Sequence, residues 1–563
     1  MVALGAPPIE LVDPLLGNDR STIDIDRLNP EFQEIERNYR KKYEDAPKVN
    51  VAWEPIKGLN GKPSSQMLAL SAPAHIIFYD GARGPGKTIT QLMRFAMRVG
   101  MGYGRFWRGV IFDREHDNLQ DMVQQSLREF PKIFPDAKFK HSKGDYKWVF
   151  ATGEELLFRH VKNHEDYDGF HGHEYTYIGW NEITKYADDV LYKKFFSVNR
   201  SSFDPVKDTP KIQRGNRIVY ATPDGKPLPP IPLETFVTTN QNGRGHTWVK
   251  EEFVDPKPPG EILERETVMF NPLLDEDVKV IRKQVRIFGN LFENPFISNE
   301  YRAEIYTLCE NNPNLKAAWL YGDWSVNAGG MFDDLWDDRV HVIERFMIPD
   351  NWIVDRSHDW GSSKPFSTGW WAEANGETVE LLNGQLWAPP RGTLFRIAED
   401  YGCEKVGGNT GLKIGTKAVA DRIKKIERAL KSELWVRGAI RPGPADNSIR
   451  KVDNVDSDTV ETGFADHGIL WEESDKNKNS RIVGCQLMRD RLRASIVGEG
   501  PGIYFFRNCH SSIKTIPNLP RDEDDPDDVD TEAIDHAWDE TRYRILKSSN
   551  RYAKKLSSNW GQG

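Results

Sequence analysis

Cysteine is scarce in this sequence: Cys309, Cys403, Cys485 and Cys509 are the only four in 563 residues, and no two share a C-x-x-C spacing. A zinc ribbon and a disulfide framework are thereby excluded as the basis of the fold, and the four are expected to be reduced packing residues. No apolar run approaches the ~20 residues of a membrane span. The opening MVALGAPPIELVDPLLG has no basic stretch leading into an apolar one, so neither export nor membrane insertion is expected. A basic excess is missing too: 85 acidic residues against 76 basic ones leave a net charge of −9. On its face that opposes a nucleic-acid partner, but local patches steer polyanions whatever the total. There is no internal repeat. What the chain has in quantity is aromatic residues, 17 tryptophans among them, which mark a folded globular protein and not a disordered one. Its length exceeds a single core, so two or three domains are expected.

The most specific short signal is DGARGPGKTITQLMRFAM, Asp80 to Met97. Gly81, Gly86, Lys87 and Thr88 fit G-x-x-x-x-G-K-[ST], and the apolar HIIFYD before them reads as a buried strand. Glycines, Gly84 included, let backbone N–H groups turn in around phosphates. Lys87 reaches the β- and γ-phosphates of ATP, and the Thr88 hydroxyl joins a Mg²⁺ shell. Ile89, Leu92, Met93 and Ala96 recur at helical spacing, as a helix facing the anion requires. Arg83, within the loop, is a candidate to stabilise charge on the γ-phosphate from within the same subunit, with an arginine of a neighbouring subunit an equal candidate and a salt bridge to Asp80 the plainer alternative.

A P-loop enzyme needs a second carboxylate motif on a neighbouring strand. EYTYIGWNEITKY supplies an apolar strand ending in Asn181 and Glu182. Glu182 is the candidate base for the attacking water, and Asn181 stands where a carboxylate normally holds Mg²⁺ through its hydration shell. A neutral amide adds no charge there, so Asn181→Asp is expected to lower the Mg²⁺ needed for ATP hydrolysis. Upstream, Gln66 offers a donor and an acceptor for the adenine edge. Thr238, Thr239 and Asn240 close another apolar strand, where polar groups can sense hydrolysis.

The second half carries carboxylates of its own. Asp359 lies in a strand-like stretch with a glycine just after it, and Asp446 follows a short strand and precedes a helix opening. TEAIDHAWDETRYRIL is helical by pattern, which puts Asp535 and Asp539 one turn apart on one face, with His536 and Arg542 three residues either side of Asp539. A two-metal nuclease gathers such groups from separate elements to hold two Mg²⁺ ions ~4 Å apart. The dense acidic run RDEDDPDDVD reads as a solvated loop.

FVTTNQNGRGHTWVKEEF resembles the motif that couples ATP hydrolysis to DNA movement in the large terminase subunits of tailed bacteriophages. HIIFYDGARGPGKT and YIGWNEIT resemble that family's ATPase motifs, and the stretches around Asp359, Asp446 and Asp539 its nuclease motifs, in chain order. The resemblance runs from about Gln66 to Tyr543, departing at Asn181, where Asp is usual, and at Gln241, where Pro is commoner. It implies an α/β chain: an N-terminal P-loop ATPase domain of the ASCE type joined to a C-terminal RNase H-like nuclease domain. The expected divisions are residues 1–50, an extension with a charged helix; 51–325, the ATPase; 326–350, a linker; 351–546, the nuclease; and 547–563, a polar tail. Catalytic roles fall to Glu182, Asp359, Asp446 and Asp539, metal ligation to Thr88, Asn181, Asp359, Asp446, Asp535 and Asp539, and an accessory role to His536. ATP and Mg²⁺ are the implied cofactors, with Mn²⁺ able to replace Mg²⁺ at the nuclease site. Implied partners are double-stranded viral DNA, the portal protein, a small terminase subunit and further copies in a ring, usually of five. The implied place is the host cytoplasm and, transiently, the procapsid portal, not the mature virion. Two other classes stay open: a P-loop translocase or helicase without nuclease activity, and a non-catalytic component that binds ATP only to dock.

Overall fold

The computed structural model describes residues 53–58, 62–142, 145–310, 313–325, 329–451 and 459–560. The charged helix expected within residues 1–50 lies outside them. The chain divides into two compact units, Met1–Gln241 with Trp248–Trp324, and Asn242–Thr247 with Ser325–Gly563.

In the first unit, strands β1 (Ile76–Gly81), β2 (Arg108–Asp113), β3 (Lys138–Ser142), β4 (Asp145–Val149), β5 (Glu155–His160) and β6 (Tyr177–Trp180) come first. A separate hairpin of β7 (Lys211–Arg214) and β8 (Arg217–Tyr220) follows, then β9 (Glu234–Thr238), β10 (Ile262–Asn271) and β11 (Glu276–Gly289). Nine of these form one sheet in the order β10-β11-β1-β9-β6-β2-β5-β4-β3. The six from β11 to β5 are all parallel. Parallel strands are covered on both faces, and so β1 and β9 are buried throughout their lengths. The pleat sends Ile77 and Tyr79 into a core with Leu92, Phe95 and Trp107, and Ile76 and Phe78 into a second one with Phe112 and Trp180 on the opposite face. Strand β9 lies between β1 and β6. This interposed strand is the ASCE arrangement, and it brings the ends of β1, β6 and β9 to one edge of the sheet, where ligands of open α/β sheets bind.

The second unit contains β12 (Val342–Ile343), β13 (Ile353–Asp359), β14 (Ser367–Glu373), a short ribbon of β15 (Val379–Glu380) and β16 (Leu386–Trp387), and β17 (Leu394–Tyr401). Strands β18 (Ile440–Arg441), β19 (Pro444–Ala445), β20 (Glu472–Glu473) and β21 (Ile503–Phe506) complete it. The sheet order is β12-β21-β17-β14-β13-β19-β20, with β18 also beside β13. Strands β13, β14 and β17 form an antiparallel meander, while β19 and β20 run parallel to β13. A meander continued by parallel strands on its first member is the RNase H-like sheet. Met331 and Phe332, within the stretch read from sequence as a linker, are buried in this unit's core. Residues 547–560 continue its last helix.

That helix, His536–Trp560, is locked onto the meander by buried charge. Arg544 bonds Asp355 at 2.5 Å and Glu373 at 2.9 Å, and Glu540 accepts from Ser357, Trp371 and Arg396. Removing one partner of a buried pair costs roughly 3–5 kcal/mol, since the other is left uncompensated. The lock therefore fixes the rotation of the helix and the direction in which neighbouring Asp539 and Tyr543 point.

Candidate functional site

The phosphate loop joins β1 to helix α1 (Lys87–Ala96), with Gly86 at its N-cap at φ 89°. Gly81 sits at φ 133°, and a Cβ there would meet the Gly289 carbonyl oxygen at 2.1 Å, so only glycine fits both the dihedral and the space. Lys87 Nζ donates to the carbonyls of Ala82 at 2.9 Å and Gly81 at 3.3 Å, and to Asn240 Oδ1 at 2.9 Å. Burial pulls the Lys87 ammonium below its ordinary value, against the opposing pull of Glu182 and Asp80. Asn240 in turn donates through Nδ2 to Glu182 Oε1 at 3.1 Å and through its backbone N to Oε2 at 3.2 Å. One side chain at the end of β9 thus bridges the loop lysine and the candidate base. Glu182 holds a left-handed backbone, φ 50° and ψ 59°, a conformation uncommon outside glycine that turns its carboxylate toward Asn240. Thr238 donates to Asn181 Oδ1 at 3.3 Å, and the Thr239 and Thr184 hydroxyls are 2.6 Å apart. Thr88 is the second residue of α1 and half-buried.

Three sequence expectations meet a different geometry. Gln66 is buried, and its carbonyl accepts from Ile56 N at 2.8 Å while its amide donates to Gly86 O at 3.3 Å. It braces the loop through one lone pair and one N–H of the amide. Arg83 is exposed and stacks over the Trp319 ring at 4.3 Å. The salt bridge to Asp80 does not form, because Asp80 is held by Arg286 at 2.8 and 3.0 Å and by Trp324 Nε1 at 2.7 Å. Asn181, lastly, is buried and donates to Asp113 Oδ2 at 2.6 Å, where Lys185 also pairs with Asp113 at 3.0 Å. The carboxylate absent from the end of β6 is present one strand over, at the end of β2. Sequence reading missed Asp113, although GVIFD, an apolar strand closing on an acid, was its signal.

This geometry adds a stability cost to Asn181→Asp. A second buried carboxylate would replace a 2.6 Å donor with a like charge. The variant should lose about 2 kcal/mol or more in urea unfolding, and adding Asp113→Asn should restore most of it. A stable single variant would place Asn181 away from Asp113.

Behind the loop lies a buried acid that the sequence did not single out. Glu293 accepts from Ser65 N at 2.7 Å and Asn290 N at 2.8 Å; the Ser65 hydroxyl is 2.7 Å from Tyr79 Oη, which donates to Pro85 O in the loop. Burial raises Glu293 from the ordinary 4.5 to about 7. With the folded value above the unfolded one, its stabilising share is complete below pH ~4.5 and lost as pH rises through 7. Relative to Glu293→Gln, the wild type should lose about 3 kcal/mol between those limits, read from urea midpoints across pH. A difference that does not vary with pH would refute it.

In the second unit Asp359 closes β13, and Asp446, just past β19, caps a 3₁₀ turn by accepting from Ser448 N at 2.7 Å. Tyr543 Oη joins the two, at 3.1 Å from Asp446 Oδ2 and 3.4 Å from Asp359 Oδ1. Asp535 is one residue ahead of the last helix and not within it, yet its carbonyl accepts from Asp539 N at 2.8 Å, so the one-turn relation persists. His536 Nδ1 is 3.6 Å from Asp359 Oδ2. Asp359 and Asp446 are thus joined through Tyr543, and Asp535 and Asp539 act on Asp359 through their charge. Burial, then Asp539 and Asp446, push the Asp359 carboxyl well above the ordinary carboxylate range, and burial and Asp539 do the same to Asp535. Burial would raise Asp446 as well, but the Ser448 amide and Lys476 hold it low.

Among the described residues, no group of three or more His, Cys, Asp or Glu side chains is arranged to hold a metal ion. Basic side chains stand beside the acids: Lys476 is 3.0 Å from Asp446, and Arg542 and Arg481 are 3.0 and 3.8 Å from Asp539. The donor set still fits a hard dication, being all carboxylate oxygen with its negative charge crowded and buried. The acidic run near Asp525 is a solvated loop of Asx turns, as expected.

Fold and sites together define a chain with a P-loop α/β unit and an RNase H-like unit that carries clustered carboxylates at the end of its first long strand. No family model matches the chain, and no curated protein does. Among solved structures it is similar to the large terminase of a thermophilic bacteriophage, at 15% identity over 88% of this chain and 99% of that one, with a TM-score of 0.34. The bacteriophage HK97 large terminase matches at 10% identity over 87% and 97%, TM-score 0.39. The P22 large terminase nuclease domain matches at 15% over 39% and 93%, TM-score 0.26. Likenesses this distant leave the site to be read from the chain's own residues.

Proposed function

We propose that this chain is the large terminase subunit of a tailed bacteriophage, a motor that hydrolyses ATP to move double-stranded DNA into a procapsid and cuts concatemeric DNA. The observation that carries the reading is the pairing, in one chain, of the Lys87–Asn240–Glu182 network on an ASCE sheet with the Asp359–Asp446 cluster on an RNase H-like sheet. Lys87 neutralises the β- and γ-phosphate oxygens, and Glu182 takes the proton of the attacking water. A γ-phosphate competes with Asn240 for Lys87, which loosens the grip of Asn240 on Glu182 and reports the nucleotide state along β9. Thr88 would contribute its hydroxyl to Mg²⁺. In the second unit Asp359, Asp446, Asp539 and Asp535 would hold Mg²⁺ or Mn²⁺, which supplies charge stabilisation at the scissile phosphodiester. His536 lies beside Asp359 as a neutral neighbour, its value lowered by burial. The domain limits given from sequence, the portal, the small subunit, a ring of five and a transient place on the procapsid belong to the same proposal.

One observation favours a translocase without nuclease activity: the basic side chains already seated against Asp446 and Asp539. Phosphate release with and without DNA, beside plasmid digestion in Mg²⁺ or Mn²⁺, decides between the two. DNA-stimulated hydrolysis with metal-dependent cutting is expected. Hydrolysis without cutting leaves the translocase, and neither activity leaves an ATP-binding assembly component.

A further inference from the structure

The ribbon of β7 and β8 pairs only with itself, and every residue from Pro210 to Ile218 is exposed. Its two-residue turn, Gly215 and Asn216, has Gly215 at φ 59°, the positive value that a tight turn of the II′ kind requires at its first position. The register sets Arg214 directly opposite Arg217, and the pleat puts both on one face of the ribbon tip with Ile212 and Val219. Lys211, on the other face, lies over the Tyr220 ring at 5.2 Å. Like charges on directly opposed residues destabilise a hairpin. Among the described residues, neither arginine has a carboxylate ion-pair partner. Among the described residues, no carboxylate relieves the repulsion at the tip.

We propose that this ribbon is a contact for double-stranded DNA, with Arg214 and Arg217 clamping backbone phosphate; the inference rests on the DNA-handling function proposed above. A phosphate between the two guanidinium groups turns their repulsion into two charge-assisted forks, a geometry arginine matches better than lysine. A two-stranded ribbon fits a major groove ~12 Å wide, and exposed Ile212 and Ile218 give it apolar flanks for groove walls. In a protein of net charge −9, attraction to a polyanion must come from such a local feature.

The test is binding of the full chain to a labelled duplex of about 30 base pairs across about 50–200 mM salt, by fluorescence anisotropy. Arg214→Ser with Arg217→Ser should weaken binding at least ~10-fold and reduce the slope of log affinity against log salt by about 1, for the one phosphate the pair clamps. Arg214→Lys with Arg217→Lys should keep the slope. ATP hydrolysis without DNA should be unchanged in both, since these exposed residues leave the nucleotide site alone. If the wild type binds and the serine variant binds equally with the same slope, the ribbon is not a DNA contact, while the proposed function stands. If the wild type fails to bind DNA at any salt, that function falls and this inference with it. Unaltered DNA binding with lost self-association in sedimentation overturns the inference in favour of the acidic loop of a second copy.

Discussion

Asp359→Ala should abolish DNA cutting by the intact chain, by a factor on the order of 10³ or more, and leave ATP hydrolysis within about twofold. Asp359 lies at the centre of its cluster, joined to Asp446 through Tyr543 and within 3.6 Å of His536. Among the described residues, Asp359 is the carboxylate that closes β13. The phosphate-loop residues are on another sheet with its own core. Loss of cutting is not to be explained by unfolding. The Asp359 carboxyl is held well above its ordinary range by burial and two acidic neighbours, so ionising it costs the folded state more as pH rises. Asp359→Asn should therefore be no less stable than wild type at pH ~8 in chelator, where Asp would carry the unfavourable charge. Mn²⁺ should raise the melting temperature of the wild type and not that of Asp359→Asn, because a dication binds only the charged cluster. Cutting by Asp359→Ala at the wild-type rate would remove the nuclease from the proposal. Equal Mn²⁺ shifts in both proteins would place the metal elsewhere.

The loop and its flanking elements were legible because each is a local demand of the backbone: glycines at Gly81 and Gly86 where φ is positive, an apolar run before them, a helical period after them. Asp359 and Asp446 were singled out from strand-like stretches, and each stands at the end of a strand, one closing β13 and one just past β19. Partner choice was not legible. Asn181 finds Asp113 across 68 residues, Asp80 finds Arg286 across 206, and Arg83 leaves the loop for Trp319. Such pairings depend on which strands become neighbours, and no local spacing encodes that. Gln66 illustrates the limit: its amide chemistry was read correctly, but burial against Ile56 and Gly86 uses that chemistry for support. Of the basic groups beside Asp446 and Asp539, Arg542 belongs to the helical motif, while Lys476 and Arg481 come from segments that carry no motif.

Glu182→Gln should bind ATP with near-wild-type affinity and hydrolyse it at least ~100-fold more slowly, as the loss of a general base predicts. The amide keeps the shape of the side chain and an oxygen for the Asn240 contacts, while the group that takes the proton is gone. Lys87→Ala should act earlier, because its ammonium is the cation at the loop, and nucleotide binding itself should fail. The two variants thus separate the roles of residues that one asparagine now joins. Binding by a fluorescent ATP analogue and phosphate release, measured on both proteins, read them independently. The left-handed backbone at Glu182 sharpens the test: the strain of φ 50° is kept by glutamine, so a slow but tightly binding variant locates the defect in proton transfer and not in the turn. Wild-type turnover in Glu182→Gln would transfer the role of base to another group. Asp113 is the first alternative, since it is a buried acid joined to the Asn181 end of β6. An unaltered rate in Glu182→Gln with loss in Asp113→Asn would move the catalytic carboxylate from β6 to β2.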